Sequence, residues 1–594
     1  MLSTLTARPA LTATTALVAV GLVALLPVLR EGPTPLPGRE LSETDAIVRQ
    51  SAADDQPEAE ERAEPKPMTA PTVMADQAAP MDALTDSATP EMFQAAPASP
   101  VMKLGREQAS DAVSGLIALP PDTGVIREPD TEAFANADAN PVTVTSDTPV
   151  STFSVDVDTA SYAVVRSSLM RGQLPPPDAV RIEEMLNYFP YAYPAPDANE
   201  PPFKPTVTVT GTPWNADTKL LHIALQGRMP AVADRPALNL VFLIDTSGSM
   251  DQPDKLPLLK QSFRLMLGQL RPEDQIAIVA YAGSAGQVLD PTPASDRATI
   301  LAALDRLDAG GSTAGQQGLQ QAYATAATMT EDGEVTRVIL ATDGDFNVGI
   351  HDPEALKDYI AAKRDSGTYL SILGFGRGNL DDATMQALAQ NGNGQAAYID
   401  TLSEAQKVLV DQLTGALFPI ANDVKIQVEF NPATIAEYRL IGYETRALRR
   451  EDFNNDRIDA GEIGAGHSVT ALYEITPTGS PAILNQPLRY TAEEGPQGTD
   501  GELAFLRLRY KEPGAQTSQL MEIPITDNIG TANEDTKFAA AVAGFGQLLK
   551  NGSYTGTWAY KDAITLAESN LGQDPFGYRR EALNLMRLAQ SLGQ

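Results

Sequence analysis

Cysteine is absent from all 594 residues of the chain. That excludes disulfides, thiolate metal sites, cysteine nucleophiles and sulfur-linked lipids. Histidine is nearly absent too: His222, His351 and His467 lie far apart and match no zinc spacing. Positive charge is scarce, with 44 Lys+Arg against 77 Asp+Glu and a net charge of −33. Such a balance repels phosphate backbones and anionic membrane faces, which argues against nucleic-acid binding. The missing cysteines do not fix the compartment, because a large extracytoplasmic domain folds without staples. Oxygen-ligand chemistry or binding remains.

Charge is also missing from the 21 residues between Arg8 and Arg30. As a helix they would span about 31 Å, close to the hydrocarbon thickness of a bilayer. Residues 1–30 therefore read as a signal peptide or a membrane anchor. The residues after Leu29 are Arg30, Glu31, Gly32 and Pro33, not a small-x-small cleavage site, so a retained anchor is the preferred reading. Residues 31–150 form an acidic, Pro/Ala-rich linker. Within it, positions 31–145 carry 21 acidic and 7 basic residues and 15 prolines, with Phe93 and Phe134 as the aromatics. A segment of that composition cannot bury enough apolar surface to offset its ordering entropy, so it is expected to be disordered.

Order is expected from residue 151. A strand over 152–158, helices over 160–170 and 181–188, and the aromatic run Tyr188, Phe189, Tyr191, Tyr193 make a small N-terminal module, 151–200. Two strands within 201–236, at 206–210 and 220–225, follow with period-2 alternation. From 237 to 417 apolar strands (239–245, 275–281, 336–342, 368–375, 397–399) alternate with helices, the last over 403–417. Strands apolar on both faces and joined by helices mean a doubly wound, mostly parallel sheet. Its ligands bind at the carboxyl ends of the strands. Residues 418–532 read as strands again and 533–594 as helices. The α/β unit is thus expected to be inserted in a β-sandwich whose first strands precede it.

The chemistry sits at three strand ends. Asp245-Thr246-Ser247-Gly248-Ser249 follows the first apolar strand, Gly310-Gly311-Ser312-Thr313 precedes a helix, and Ala341-Thr342-Asp343-Gly344 ends another strand. Carboxylates and hydroxyls converging on one point suit a hard cation of octahedral preference, Mg²⁺ first. One such loop alone is more often a helix cap; three in order are not. Asp452-Phe453-Asn454-Asn455-Asp456 has the 1-3-5 oxygen spacing of a calcium loop, but Ile463 stands where the closing Glu belongs, so a solvated acidic turn is the better reading. The string Gly310–Ala314 misses the hydrolase elbow at its last position. The aromatic run is expected to pack rather than to bind.

These three segments resemble the von Willebrand factor type A (VWA) domain with its metal-ion-dependent adhesion site. The resemblance implies a Rossmann-like fold and Asp245, Ser247, Ser249, Thr313 and Asp343 as metal ligands, the last through water. It implies Mg²⁺, with Mn²⁺ or Ca²⁺ as substitutes. The flanks, TFSVDVDTASYAVVRSSL through IEEMLNYF and later GYETRAL and DFNNDRIDAGEIGAGHSVTALYEI, are similar to the bacterial YfbK-like family. The expected function is binding, not catalysis: an acidic side chain of another protein completes the metal shell, with no small-molecule substrate and no nucleic acid. The expected place is the periplasmic or extracellular side of the cell envelope, with membrane contact through the N-terminal segment only. The alternative is a scaffold subunit that binds through its β-sandwich and C-terminal helices around a structural metal.

Overall fold

The computed structural model describes residues 132–134, 137–155, 157–229, 235–282, 284–311, 315–344, 353–412, 415, 417–486 and 501–593. All belong to one compact unit, residues 118–594. The expected anchor and most of the expected linker lie outside the described residues, as does Thr313. Among the described residues no helix is long and apolar enough to cross a membrane.

Backbone pairing starts earlier than composition suggests. β1 (Thr143–Val144) pairs antiparallel with β12 (Ile435–Ile441), and β2 (Val150–Ser154) pairs with β11 (Pro419–Phe430). Helices α1 (Ala160–Met170) and α2 (Ile182–Asn187) follow. Next come the long strands β3 (Phe203–Thr212) and β4 (Asn215–Gly227).

The α/β unit then runs β5 (Leu238–Asp245), α3 (Leu256–Leu267), β6 (Gln275–Tyr281), β7 (Ala285–Pro293), α4 (Arg297–Asp305), α5 (Gly315–Met329), β8 (Val335–Thr342), α6 (Pro353–Asp365), β9 (Thr368–Phe375), α7 (Asp382–Asn391), β10 (Ala396–Ile399) and α8 (Leu402–Gln406). Its sheet order is β10-β9-β8-β5-β6-β7, parallel except for β7. All eight residues of β5 are buried because helices cover both faces. Leu240, Phe242 and Ile244 point to α3, α4 and α8, whereas Val241 and Leu243 point to α1, α5, α6 and α7. α3 starts with Pro257 in its first turn and buries Leu256, Leu259, Phe263, Met266 and Leu267, a stripe at helical spacing.

Two features depart from expectation. β7 is an antiparallel edge strand in a stretch to which the sequence pattern assigns no element: AGQVLDPTP is largely exposed and carries two prolines, a pattern that edge strands tolerate. The helix expected over 403–417 is broken. After α8 the chain makes a π turn, Lys407–Asp411, with Gln412 N donating to Lys407 O at 2.9 Å. The turn buries Lys407 against the Tyr188 ring, its ammonium 3.7 Å from the ring centroid.

The α/β unit is inserted in a sandwich, as the split strands indicated. One sheet has the order β1-β12-β14-β4-β3, where β14 (Ser468–Pro477) pairs along its length with β4 from before the insertion. The other is β13-β11-β15-β16, with β2 also on β11; here β13 is Ile463–Gly464, β15 Glu502–Lys511 and β16 Gln519–Thr526. Leu221, Ile223, Tyr473, Ile426 and Leu506 share the core between them. The opposite face of β4, through Leu220 and Ala224, packs on α2 and the aromatic run. Helices α9 (Glu534–Leu549), α10 (Tyr560–Glu568) and α11 (Tyr578–Leu592) complete that layer. Tyr188, Phe189, Tyr191 and Tyr193 are buried in it, packing residues as expected.

Candidate metal centre

Parallel register puts the site together. Asp245, the last residue of β5, lies opposite Tyr281, the last of β6, and β8 ends next to β5 with Thr342 and Asp343. Asp245 is wholly buried and accepts from Ser247 N (2.8 Å), Tyr281 Oη (3.3 Å) and Thr342 Oγ1 (3.4 Å). The Ser247 and Ser249 hydroxyls are 3.0 Å apart. The first and second loops are tied by Gly248 N to Gly311 O (3.1 Å) and Gly310 N to Thr246 O (2.7 Å). In the third loop Gly344 has φ +109°, and a Cβ there would meet Asn379 O and the Leu380 Cα, both at 2.6 Å. Only glycine lets the loop lie against residues 379–381.

The two carboxylates differ. Burial pushes the Asp245 carboxyl up to about 6, and the nearby Asp343 carboxylate adds to the rise against the Ser247 hydrogen bonds. Burial also pushes Asp343 up, but the Ser249 hydroxyl, the Lys255 ammonium and Asn379 outweigh it and hold Asp343 below its ordinary value. Lys255 Nζ donates to Asp343 Oδ2 at 2.9 Å. Asp343 Oδ1 is buried without a hydrogen-bond partner.

Four of the five residues expected to ligate the metal thus lie on adjoining strand ends, and Thr313 falls outside the described residues. Tyr281, Lys255 and Asn379 were not anticipated. Tyr281 comes to the site through strand register, which sequence spacing does not show; the one signal in the sequence for Lys255 is a cation at a helix N-terminus, where the dipole disfavours it. The acidic turn is no calcium loop. Asp452 pairs with Arg449, Asp456 with Arg509 and Ser518, and the Lys425 ammonium donates to the carbonyls of Asp452 (3.2 Å) and Asn455 (2.6 Å).

The chain is similar to known proteins along most of its described length. Residues 239–412 match the von Willebrand factor type A domain family and 128–222 the family described as von Willebrand factor. Residues 415–592 match the one described as "Uncharacterized protein YfbK, C-terminal". The protein of that name from Escherichia coli strain K12 is 45% identical over 475 residues, 79% of this chain and 82% of its own length. The chain belongs to the YfbK-related family of VWA-domain proteins. Synechocystis sll0103 is 32% identical over 186 residues, 31% of this chain and 43% of its own. A VWA protein structure from Catenulispora acidiphila aligns with 65% of this chain and 91% of its own at 18% identity and TM-score 0.39.

The VWA fold implies a divalent cation, and the residues fit one. Asp343 Oδ1 is a buried anionic oxygen without a donor, and the Ser249 hydroxyl, 3.0 Å from that of Ser247, interacts with the same carboxylate. Among the described residues no group of three or more His, Asp or Glu side chains is placed to hold a metal ion. The oxygens brought together here are two carboxylates with hydroxyls, a set that would leave coordination positions of a hard cation open to water or a partner.

Proposed function

We propose that this VWA protein is an extracytoplasmic, membrane-tethered binding module. It recognises another protein through a divalent cation, Mg²⁺ foremost, held by Asp245, Ser247, Ser249, Thr313 and Asp343. The observation that carries the reading is the partnerless Asp343 Oδ1, buried beside the Asp245 loop. A cation there supplies a point of positive charge on a strongly acidic protein, which lets an acidic side chain of the partner approach. The chain's own part is to hold the oxygens: strand ends fix Asp245 and Asp343, Tyr281 and Thr342 orient Asp245, and Gly344 keeps the third loop close. Residues 9–29 are the proposed anchor, and the acidic linker sets the head away from the membrane.

The test is calorimetric titration of Mg²⁺ into the wild type and Asp245→Ala. A saturable heat in the wild type alone supports the reading; equal heats from both overturn it. Partner capture from envelope extract in Mg²⁺ and in EDTA then separates the two functional readings. A scaffold role has its own support in the Lys255–Asp343 ion pair, which compensates charge without metal. It predicts capture that neither EDTA nor Asp343→Ala changes.

A further inference from the structure

Lys255 is the one cation in direct contact with a candidate ligand among the described residues, and its placement is costly. It precedes α3 at the N-cap position, where the helix dipole disfavours positive charge. Its side chain is 3% exposed and Asp343 is wholly buried, so the pair is desolvated. The stem crosses Gly376, whose φ is +72°; a Cβ at that position would collide with Lys255 Cγ, Cδ and Cε. The ammonium reaches Asp343 Oδ2 at 2.9 Å and Asn379 Oδ1 at 3.4 Å. A glycine cradle, a buried stem and two acceptors amount to a built site for one ammonium.

We propose that Lys255 is a resident counter-cation of the metal centre. It holds Asp343 by one oxygen when the metal is absent, and its charge sets a deliberately modest affinity for the incoming dication. The inference rests on the metal reading above and adds a regulator to it. Two buried carboxylates at one site repel each other, and without a cation the third loop would be pushed from the first. Lys255 removes that penalty while leaving Oδ1 free. The same charge opposes a dication, by about tenfold in affinity even at the screening of bulk water. Metal occupancy then follows the ambient concentration, or the arrival of a partner carboxylate, rather than being permanent.

The experiment is Mg²⁺ calorimetry on the full chain after EDTA treatment and dialysis, for wild type, Lys255→Met and Asp245→Ala. Thermal melts in EDTA and in saturating Mg²⁺ accompany it. Lys255→Met is expected to bind Mg²⁺ about tenfold more tightly or better. It is also expected to melt below wild type in EDTA and to regain that loss in Mg²⁺, a rescue that a merely structural lysine would not show. If Lys255→Met does not fold, Lys255→Gln takes its place. Unchanged or weaker affinity, or a melting deficit that Mg²⁺ does not reverse, overturns the inference while leaving the metal site standing. Absence of saturable binding in both wild type and the lysine variant overturns the metal reading and this inference together. Binding that survives Asp245→Ala overturns the placement of the site.

Discussion

Replacing Arg166 with methionine is the perturbation on which the packing argument is most exposed. Arg166 lies on α1, buried, and gathers carboxylates from two other segments. Its Nε donates to Asp400 Oδ2 (3.1 Å) and its Nη2 to Asp400 Oδ1; Nη1 faces Glu404 Oε2 (2.8 Å), Glu581 Oε2 (3.3 Å) and Tyr188 Oη (3.0 Å). Asp400 and Glu404 are 9% and 1% exposed, so losing the guanidinium leaves both without their main counter-charge in a low-dielectric interior. Breaking a buried pair by removing one partner costs about 3–5 kcal/mol. Glu581, 30% exposed, adds at most a few tenths of a kcal/mol, in the range of about 0–1 for solvated pairs. Lys407 on the neighbouring Tyr188 ring offsets part of the loss, which points to the lower end, about 3 kcal/mol.

Urea unfolding of Arg166→Met against wild type measures that loss, and its pH dependence identifies the cause. Burial already raises Asp400 in the intact protein, against the pull of Arg166. Without Arg166 the folded variant holds protons that the unfolded chain has shed above its ordinary carboxylate pKa of about 4. A raised folded pKa gives stability that is present at low pH and lost as pH rises. The deficit should therefore grow from pH 5.5 to pH 8, by up to about 1.4 kcal/mol per pH unit for each proton held. Adding Glu404→Gln should recover part of it. A loss below about 1 kcal/mol, or one flat in pH, would refute the claim that this arginine compensates buried charge.

Asp245→Asn keeps the acceptor shape but removes the charge facing Asp343, so it should abolish Mg²⁺ heat while raising the metal-free melting temperature; the expected gain is about 1 kcal/mol, read by calorimetry. Gly344→Ala places a Cβ on Asn379 O and Leu380 Cα at positive φ, and should cost about 2 kcal/mol or more in urea unfolding together with metal affinity. His222, buried against Tyr193 Oη at 3.1 Å, is pushed down to about 4 by burial. The unfolded state binds its proton first, so stability should fall as pH drops from about 6.5 to 4, by about 3 kcal/mol in all. In His222→Gln that part of the acid slope should vanish, and an unchanged slope in urea titrations would count against it.

What the sequence made legible followed periodicity. Strands apolar on both faces announced the parallel sheet, and the strands at 206–210 and 220–225, stranded before the α/β unit, announced the insertion that β4–β14 pairing realises. β7 was illegible because an exposed edge strand needs neither apolar residues nor β-branched runs. The break after α8 was hidden because Lys407-Val408-Leu409-Val410 reads as good helix, and a tertiary contact with Tyr188 decides its geometry. At the site, the candidate oxygen ligands stood out as motifs. Their supports did not, since Tyr281, Lys255 and Asn379 join them through strand register and loop packing rather than sequence spacing.

Those supports extend past the family boundary of the VWA domain, 239–412. The loop that cradles Lys255 continues into Arg377, whose Nε and Nη2 pair with Glu132 from ahead of the first strand and whose Nη1 donates to Ser168 Oγ (3.3 Å) on α1. Gly378 N donates to the same Glu132 at 2.9 Å. Residues 376–379 are therefore held from behind by two segments outside the α/β unit and from in front by the lysine stem. Buried ion pairs of this kind fix orientation more than they stabilise. It follows that the proposed metal centre would be a property of the YfbK-type head and not of its VWA domain alone. Arg377→Met should leave the three loop sequences intact yet loosen their backing. Amide exchange at 376–380 should then rise and Mg²⁺ affinity change, even though Arg377 itself contributes no ligand. Exchange identical to wild type would mean that the α/β unit carries its own support, and that Glu132 and α1 merely lie against it.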